Sequence, residues 1–467
     1  MTLVHPDTRP ADGLATVLES LSSRFHNRLS TAAAIREQHG HTTTWHKNQP
    51  PDAVVFAQSA EEIAEVVRVC AANHVPVIPF GTGTSLEGQV NAPMGGVSID
   101  VSQMNRVLEV HPEDLDCIVQ PGVTRKQLNT ELRATGLFFP IDPGADASIG
   151  GMVATRASGT NAVRYGTMKD NVLALTAVMA DGSIIRTGRR AKKSSAGYDL
   201  TRLLVGSEGT LGIITDITLR LYGIPEAISG GVCPFDSLEG ACNAVIATIQ
   251  SGIPVARIEL LDELQVRASN AYSKLSMRET PTLFLEFHGS QNGVAEQSEL
   301  FGEIAAEFGG GPFEWTHNAE ERTKLWQARH DAYFAVMQLR PGTQGLATDV
   351  CVPISRLAEC IMETKADIDR LGLVAPIVGH VGDGNFHVSV MVDMDNPDEL
   401  RDVDEFMELL VERAIAMEGT CTGEHGVGQG KMKYLDAELG GSVDVMKSIK
   451  RALDPLNILN PGKIVRV

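Results

Sequence analysis

The chain has 467 residues, of which 43% are hydrophobic and 21% are charged. This length is enough for two or three domains with their own cores, and the composition is ordinary for a globular protein. The formal net charge of -19 argues against nucleic-acid binding, because phosphate recognition needs a basic face. It also argues against binding to an anionic membrane surface.

Cysteine usage and the N-terminus bear on the compartment. The seven cysteines are scattered and include no CxxC pair, which suits a reducing compartment. No apolar run approaches the roughly 20 residues of a membrane span. The first residues, MTLVHPDTRPADG, lack the pattern of a secretory signal. We therefore predict a cytoplasmic protein without a transmembrane span, with peripheral attachment to the inner membrane as the alternative.

A glycine-rich turn follows the first clear strand. Residues 1–50 are predicted as a helical lead-in, after which Ser59 and Glu62 have the spacing of a capping box. The strand-like VPVIPF (75–80) leads into GTGTSLEG (81–88). The third glycine is displaced from the Rossmann pattern, and loop and strand follow instead of a helix. The glycines and hydroxyl side chains still suit a phosphate cradle, with a plain tight turn as the alternative.

The rest of the first half continues this pattern. A helix is predicted over 124–136, ending at its glycine. The segment 141–166 is rich in Gly, Ala, Ser and Thr, a composition typical of backbone that wraps a large flat ligand. A hairpin is predicted over 172–188 around Asp181 and Gly182.

The composition changes near Gly223, and helical and strand patterns alternate from there to about residue 420. This alternation predicts an α+β domain with an antiparallel sheet. Helices are predicted over 237–250, 291–308, 319–338, 355–370 and 397–418, and strands in PVARIELLD, PTLFLEFHGS and PIVGHVGDGNFHVSVMV. A last helix, VDVMKSIKRALDP, and the tail ILNPGKIV close the chain.

Two histidines stand in the glycine-rich segment GHVGDGNFH (379–387). On one helix, His380 and His387 would be about 10 Å apart, whereas two imidazole nitrogens on one metal ion are separated by little more than about 4 Å. On one straight strand they would face opposite sides. The segment must therefore bend between them, and Gly382 and Gly384 provide the backbone freedom.

A second glycine-rich segment, GTCTGEHGVGQGK (419–431), supplies Glu424 and His425. Glu424 would complete a site of two histidines and one carboxylate with open positions, which suits Zn²⁺, Mn²⁺ or Fe²⁺. The alternative is a pair of glycine-rich turns that carry ordinary histidines.

Six motifs in order resemble the FAD-dependent flavoproteins of the vanillyl-alcohol-oxidase type, which have a PCMH-type FAD-binding domain. They are PFGTGTSLEG, DPGADASIGGMVAT, VGSEGTLGIIT, GHVGDGNFH, GTCTGEHGVGQGK and LNPGK. Within that family the chain resembles the D-2-hydroxyacid dehydrogenases, which include D-lactate dehydrogenase, the large flavin subunit of glycolate oxidase and D-2-hydroxyglutarate dehydrogenase. The likeness covers about residues 50–467, and RPGTQGLATDVCVPISRL is most similar to the mitochondrial-type D-lactate dehydrogenase branch.

The resemblance implies an α+β fold with a two-part FAD-binding domain and a substrate (cap) domain built on an antiparallel sheet. The expected division is a lead-in (1–50), the FAD-binding domain (51–222), the substrate domain with part of the metal site (223–420), and a C-terminal segment that returns to the FAD-binding domain (421–467).

The resemblance also implies the FAD contacts. Gly81, Thr82, Gly83, Thr84 and Ser85 would cradle the pyrophosphate. The other implied contacts are Pro79, Gly88, Pro143, Gly144, Ser148, Gly150, Gly151, Ser158, Gly159, Glu208, Gly209, Gly212, Ile214 and Asn460. Thr84 stands where covalent relatives carry a histidine, so we expect FAD to be bound non-covalently.

The same resemblance implies the catalytic residues. His380, His387 and Glu424 match the ligands of a divalent metal, and His425 matches the catalytic base. Arg329 matches the residue that pairs with the substrate carboxylate, and Asn385 is expected to contact substrate or metal. From the residues alone, His425 could equally be a fourth ligand, and Arg329 a surface arginine in an i,i+4 pair.

The expected reaction is oxidation of a D-2-hydroxy acid to a 2-oxo acid. Ala347 stands where the hydroxyglutarate branch has a lysine for a distal carboxylate, and Tyr333 replaces a threonine. We therefore expect a monocarboxylic substrate such as D-lactate. The alternatives are a glycolate oxidase flavin subunit, D-2-hydroxyglutarate dehydrogenase, or a non-catalytic flavin- or metal-binding protein. Quinone, cytochrome c, an electron-transfer flavoprotein and oxygen remain open as electron acceptors.

Overall fold

The computed structural model describes residues 13–42, 44–316 and 318–467. The chain forms two compact units. Unit 1 contains the described residues as far as Ser158, together with Thr167–Gly223 and Glu424–Val467, and unit 2 contains Gly159–Gly166 and Ile224–Gly423. Residues 1–12 of the predicted lead-in lie outside the described part of the chain.

The helices are numbered in chain order. They are α1 Gly13–Phe25, α2 Ala33–Gly40, α3 Ala60–Ala72, α4 Arg125–Leu132, α5 Ile149–Thr155, α6 Ala162–Tyr165, α7 Met168–Asn171, α8 Leu200–Leu204, α9 Leu238–Gln250, α10 Glu263–Ser273, α11 Gln291–Glu307, α12 Ala319–His330, α13 Ala332–Val336, α14 Leu357–Leu371, α15 Pro397–Ala416, α16 Leu435–Leu439 and α17 Ser442–Leu453. Short 3₁₀ turns lie at His26–Arg28, Arg133–Thr135, Ile354–Arg356, Val381–Asp383 and Met432–Tyr434.

The strands are β1 Leu29–Ser30, β2 Ala53–Phe56, β3 Val77–Phe80, β4 Val97–Asp100, β5 Val107–His111, β6 Asp116–Val119, β7 Leu137–Phe138, β8 Val172–Val178, β9 Ile184–Arg186, β10 Ile213–Arg220, β11 Tyr222–Gly223, β12 Ala227–Pro234, β13 Val255–Leu261, β14 Thr282–Gly289, β15 Glu314–Thr316, β16 Gln344–Ala347, β17 Val350–Cys351, β18 Ile377–Gly379 and β19 Asn385–Val392.

Unit 1 contains three sheets. The first has the order β1-β2-β4-β3, in which β2, β3 and β4 are parallel and β1 is antiparallel to β2. The second is antiparallel with the order β5-β6-β10-β8-β9, and it contains the predicted hairpin as β8 and β9. The third pairs β7 with β11. After β3 the chain is irregular from Gly81 to Gly96 and then enters β4.

The helix α3 shows how the sequence pattern forms the first core. The Ser59 hydroxyl accepts a hydrogen bond from the Glu62 backbone N–H at 3.3 Å, as a capping residue does. The Glu62 carboxylate accepts from the Gln58 N–H instead, so only half of the predicted capping box forms. Ile63 and Val66 are buried on the face that packs in the core beside β2, β3 and β4.

Unit 2 contains an eight-stranded sheet with the order β15-β12-β14-β13-β18-β19-β16, and β17 also pairs with β19. All of its pairs are antiparallel, which confirms the predicted α+β architecture. The single helix predicted over 319–338 is wrong, because the chain divides it into α12 and α13 at Asp331, whose side chain accepts from Gln327 at the end of α12.

The segment Gly159–Gly166 lies in the predicted ligand-wrapping stretch, yet it packs within unit 2. Asn161 accepts a hydrogen bond from Arg257 Nε at 2.9 Å. The Tyr165 hydroxyl is 2.7 Å from His288 Nδ1. Val163 contacts the turn at Gly382. The composition of the stretch did not predict the short helices α5 and α6.

Among the described helices, none combines the length and the apolar character needed to cross a bilayer. None of the seven cysteines, all of which lie in the described part of the chain, forms a disulfide.

The ion pair between Arg28 and Glu62 predicts a pH-dependent stability. The Arg28 guanidinium donates two hydrogen bonds to Glu62, at 2.6 and 2.7 Å, and lowers the pKa of that carboxyl. This stabilisation is present above the unfolded-state pKa of about 4.3 and is lost as pH falls through the lower folded-state pKa. We expect Glu62→Gln to reduce the free energy of unfolding by about 1 kcal/mol at pH 7 and by less near pH 3, measured by urea denaturation.

The matched control is Glu65→Gln. Glu65 pairs with Arg24 on the surface, where the two side chains are 37% and 60% exposed, so its effect should be smaller at both pH values. An equal loss from Glu62→Gln at pH 7 and pH 3 would contradict the prediction.

Candidate active site

His380 and His387 lie side by side in unit 2. Strands β18 and β19 are antiparallel neighbours, with Val378 directly opposite His387. His380 is two residues beyond Val378, so both histidines project from the same face of the sheet. Their ring centroids are 5.4 Å apart, and a ring nitrogen of each lies within 4.8 Å of the other.

The predicted bend between them is confirmed, and its two glycines serve different purposes. Gly384 ends the 3₁₀ turn with a φ of 79°, in the left-handed region that favours glycine. Gly382 is needed for packing, since a Cβ there would lie 2.5 Å from Ile258 Cγ2 and 2.8 Å from Val163 Cγ2.

The carboxylate of Glu259 on β13 contacts the Nδ1 side of the His380 ring. Its Oε1 is 2.7 Å from His380 Nδ1, and its Oε2 accepts from Arg329 Nε at 2.8 Å and Nη2 at 2.6 Å. The carboxylate is only 1% exposed. Burial raises the pKa of Glu259, but its interactions with His380 and with the Arg329 guanidinium outweigh burial, and the net pKa is lowered. Glu259 is therefore the ionised acceptor between the two side chains.

The second histidine is oriented by the backbone. His387 Nδ1 is 2.9 Å from the Thr348 carbonyl oxygen, which can only accept, so Nδ1 carries the proton. The same reasoning gives His380 a proton on Nδ1, facing the Glu259 carboxylate. In each ring Nε2 is then the nitrogen suited to binding a cation, and a carboxylate or carbonyl behind Nδ1 is the usual support of a metal-binding histidine. These residues fit a divalent metal.

Asn385 and Asp349 form a polar cluster beside His387. Asn385 Nδ2 donates to Asp349 Oδ1 at 2.8 Å and to the Val350 carbonyl at 2.8 Å. Asp349 Oδ2 accepts from the Thr422 hydroxyl at 2.9 Å. A Cβ on Gly423 would lie 2.3 Å from Asn385 Nδ2. The last residues of unit 2 are therefore packed against this cluster, and the next residue along the chain is Glu424.

Glu424 and His425 begin a loop of unit 1 that extends to Lys431. We call it the catalytic loop after the roles that the sequence leads us to expect for these two residues. His425 Nδ1 is 4.0 Å from Glu87 Oε1, and the same oxygen is 3.4 Å from Lys431 Nζ. The His425 carbonyl accepts a hydrogen bond from Gln89 Nε2 at 2.8 Å.

Several of the predicted FAD segments are joined to one another within unit 1. The Thr82 hydroxyl accepts from the Ser148 N–H at 3.2 Å, which joins the cradle to the start of α5. Gly209 has a φ of 72°, and a Cβ there would lie 2.3 Å from Pro79 Cγ. Asn460 Nδ2 donates to the carbonyl of Glu208 at 2.7 Å, so the end of the chain also joins this region.

Two buried hydroxyls support a ligand at the cradle. Ser85 Oγ and Ser148 Oγ are buried and have no hydrogen-bond partner among the described residues. Such groups are costly unless a ligand or water satisfies them. A Cβ on Gly81 would lie 2.3 Å from the Ser148 hydroxyl, so the backbone is open only because the residue is glycine. These features fit a phosphate-bearing cofactor.

Other predicted cofactor residues have varied environments. The Glu208 side chain points at the catalytic loop, where its two oxygens accept from the N–H groups of Val427 at 2.6 Å and Gly428 at 2.8 Å. Burial raises the pKa of Glu208 to about 7, although these N–H groups lower it.

Gly144 is exposed, with open space around its Cβ position. Gly159 belongs to unit 2, and unit 1 contains Gly83, Thr84, Gly88, Pro143, Gly150, Gly151, Ser158, Gly212 and Ile214.

The sequence motifs missed Glu259, Thr348 and Asp349. The available signal was a charged residue in an apolar strand, because Glu259 stands within the buried run IELL of β13. A buried strand carboxylate needs a partner, which makes it a candidate for supporting a site.

Two family models match the chain. The FAD binding domain matches residues 51–188, and the C-terminal domain of FAD linked oxidases matches residues 224–464. Among solved structures, p-cresol methylhydroxylase with bound substrate matches with a TM-score of 0.82 and 18% identity, covering 99% of this chain and 98% of that one. The 4-ethylphenol oxidase of Gulosibacter chungangensis matches with a TM-score of 0.80 and 18% identity, covering 99% and 98%. These likenesses show the shared two-domain FAD-binding fold.

Several enzymes are more similar to this chain in sequence than these solved structures are. The probable mitochondrial D-lactate dehydrogenase of Danio rerio is 53% identical, covering 94% of this chain and 89% of the relative. The mitochondrial D-lactate dehydrogenase [cytochrome] of Arabidopsis thaliana is 46% identical, covering 96% and 80%. Glycolate oxidase subunit GlcD of Bacillus subtilis is 35% identical, covering 89% of each chain. The chain therefore belongs to the FAD-linked oxidases, in the branch that contains the mitochondrial D-lactate dehydrogenases, and it is an FAD-dependent oxidoreductase.

Proposed function

We propose that the chain oxidises D-lactate, or a related monocarboxylic D-2-hydroxy acid, to the 2-oxo acid with FAD and a divalent metal. The observation that carries the proposal is the pair His380 and His387, which lie on one face of the sheet with their rings close together. Each Nδ1 is in hydrogen-bond contact with an acceptor, a carboxylate for His380 and a backbone carbonyl for His387. The names of the relatives from Danio rerio and Arabidopsis thaliana support D-lactate as the substrate.

His380, His387 and Glu424 would hold the metal. Gly423 lies against Asn385 beside His387, and Glu424 follows it after one peptide bond, a Cα–Cα distance of about 3.8 Å. Two imidazoles and a carboxylate suit Zn²⁺, Mn²⁺ or Fe²⁺. When bound, such a cation supplies Lewis-acid polarisation of a substrate hydroxyl, which lowers the pKa of that hydroxyl.

His425 is the proposed base for the hydroxyl proton. A neutral imidazole can accept a proton near pH 7, and Glu87, 4.0 Å from Nδ1, would favour the resulting cation. Arg329 stays the proposed partner of the substrate carboxylate. Its Nε and Nη2 already bind Glu259, so Nη1 is the group that would reach the substrate. Asn385 is proposed to act through Asp349 rather than by direct contact.

FAD supplies the hydride acceptor when bound, and its redox chemistry belongs to the cofactor. Thr84 in the cradle supports non-covalent attachment, since a threonine hydroxyl does not replace the histidine of covalent relatives. Cytochrome c, quinone or an electron-transfer flavoprotein would reoxidise the flavin. Cytochrome c is favoured because three relatives carry "cytochrome" in their names.

Charge balance favours a substrate with one carboxylate. Two arginines face this side of the sheet, the buried Arg329 and the half-buried Arg257. Each is paired with a buried glutamate: Arg329 with Glu259 at 2.6 Å and Arg257 with Glu286 at 3.6 Å. A second substrate carboxylate would therefore need a new cation, and Ala347 supplies none. A buried unpaired carboxylate is costly. Glycolate oxidation remains the second candidate, because the GlcD relative is 35% identical.

The direct test is anaerobic reduction of the bound flavin by stopped-flow absorbance. We expect D-lactate to bleach the absorbance of the oxidised flavin, and L-lactate and D-2-hydroxyglutarate to leave it oxidised or to reduce it far more slowly. Removing metal with a chelator should suppress bleaching, and added Mn²⁺ or Zn²⁺ should restore it. A flavin that stays oxidised with every D-2-hydroxy acid would contradict the proposal, and faster reduction by glycolate than by D-lactate would favour the second candidate.

Glu259→Gln tests the support behind His380. The amide cannot accept as a carboxylate does from both His380 and Arg329, and it leaves the Arg329 charge buried without its counter-ion. We expect metal affinity to fall about 10- to 100-fold and the free energy of unfolding to fall by about 3–5 kcal/mol. Metal affinity is measured by titration of the FAD-loaded protein with Mn²⁺.

Glu286→Gln is the matched control for this variant. Glu286 lies on the neighbouring strand β14, is 6% exposed, and pairs with Arg257 at 3.6 Å and His288 at 2.8 Å. It should lower stability but leave Mn²⁺ affinity unchanged. The role assigned to Glu259 fails if both variants weaken Mn²⁺ binding equally.

A further inference from the structure

The backbone of the catalytic loop is held at three successive points within unit 1. Gln89 Nε2 donates to the carbonyl of His425 at 2.8 Å. The Glu208 carboxylate accepts from the N–H groups of Val427 and Gly428 at 2.6 and 2.8 Å. The Glu87 carbonyl accepts from the N–H groups of the next two residues, at 2.7 and 3.3 Å.

The residues that hold this loop are continuous with the FAD-binding segments. Glu87 and Gln89 flank Gly88, directly after the phosphate cradle. Glu208 precedes Gly209, which packs on Pro79 at the start of the cradle. Asn460 joins the two segments, because its Nδ2 donates to the carbonyls of Gln89 at 3.0 Å and Glu208 at 2.7 Å. One hydrogen-bond network therefore connects the cofactor segments to the loop that begins with Glu424 and His425.

The contact between Glu208 and the catalytic loop is so close that the loop has no room for side chains at two positions. Glu208 is 3% exposed and has a φ of 51°, an uncommon conformation for a residue with a side chain. Gly426 has a φ of 80°, and a Cβ there would lie 2.5 Å from Glu208 Oε1. Gly428 has a φ of 49°, and a Cβ there would lie 2.1 Å from the Glu87 carbonyl. The loop can approach these groups only because both positions are glycine.

We propose that Glu208 is a positioning residue that transmits FAD binding to the metal site. FAD orders the segments around Gly81–Ser85 and Gly209, Glu208 transfers that order to the catalytic loop, and Glu424 and His425 are then held ready for the cation. The inference rests on the proposed function for the roles of Glu424 and His425. Because linkage is reciprocal, the metal must in turn strengthen FAD binding.

The test uses the full-length protein and two binding measurements. The affinity for FAD is measured by flavin fluorescence with saturating Mn²⁺ and with a chelator. The affinity for Mn²⁺ is measured by electron paramagnetic resonance on the FAD-loaded protein. In the unmodified chain we expect Mn²⁺ to tighten FAD binding about tenfold, within the usual range of coupling between sites.

Glu208→Gln should break this linkage. Its amide offers one acceptor and one donor group to two backbone donors, so one contact with the loop becomes repulsive. We expect the Mn²⁺ affinity of the FAD-loaded variant to fall about tenfold, and its FAD affinity to change less than about twofold when Mn²⁺ is added. If this variant does not fold, Gln89→Met tests the same network without a buried charge and should also reduce the linkage.

The control is Asp454→Asn. Asp454 is 1% exposed and pairs with Lys450, whose Nζ donates to the Thr210 carbonyl at 2.8 Å. The variant therefore disturbs the motif VGSEGTLGIIT, which also contains Glu208, but it removes no hydrogen bond to the catalytic loop. It should lower stability yet keep the tenfold linkage. Linkage that persists in Glu208→Gln, or that is absent from the unmodified chain while Mn²⁺ still binds, overturns the inference. Absence of Mn²⁺ binding in every form overturns the proposed metal site itself.

Discussion

The carboxylate of Glu259 is the contact on which the candidate site depends. It is 1% exposed and lies between His380 and Arg329, at 2.7 and 2.6 Å. A buried carboxylate is tolerated only with such partners, so its position on β13 determines where both side chains must lie. The same contact places the proton of His380 on Nδ1 and makes Nε2 the nitrogen suited to the proposed cation. The Thr348 carbonyl oxygen places the proton of His387 on Nδ1 in the same way.

The two units supply different parts of the proposed chemistry. Unit 2 contributes an antiparallel sheet that places two histidines on one face, and a metal site requires such defined placement of its ligands. Unit 1 contributes the catalytic loop, whose glycines allow close contact with Glu208 and Glu87. The residues proposed to act together therefore belong to elements with different structural demands. The strands fix the positions of the histidine side chains, and the glycine-rich loop brings its backbone groups close to Glu208 and Glu87.

Much of this arrangement could be predicted from the sequence, for identifiable reasons. The bend between His380 and His387 followed from their spacing and from Gly384, and the antiparallel sheet followed from strand-like runs separated by helices. The partner of Arg329 could not be predicted, because the ion pair with Glu259 joins residues 70 positions apart and depends on which strands are neighbours. For the same reason composition did not show that Gly159–Gly166 packs in unit 2 or that α12 ends before Asp331. Long-range pairing leaves little local signal.

The most direct test of the central claim is X-ray absorption spectroscopy of the FAD-loaded protein with one equivalent of Zn²⁺. The account predicts a first shell containing two imidazole nitrogens at about 2.0–2.1 Å and at least one carboxylate oxygen at about 2.0–2.2 Å, with one imidazole lost in His387→Ala. A shell without imidazole scattering, or one unchanged by His387→Ala, would contradict the claim that these two histidines hold a catalytic cation.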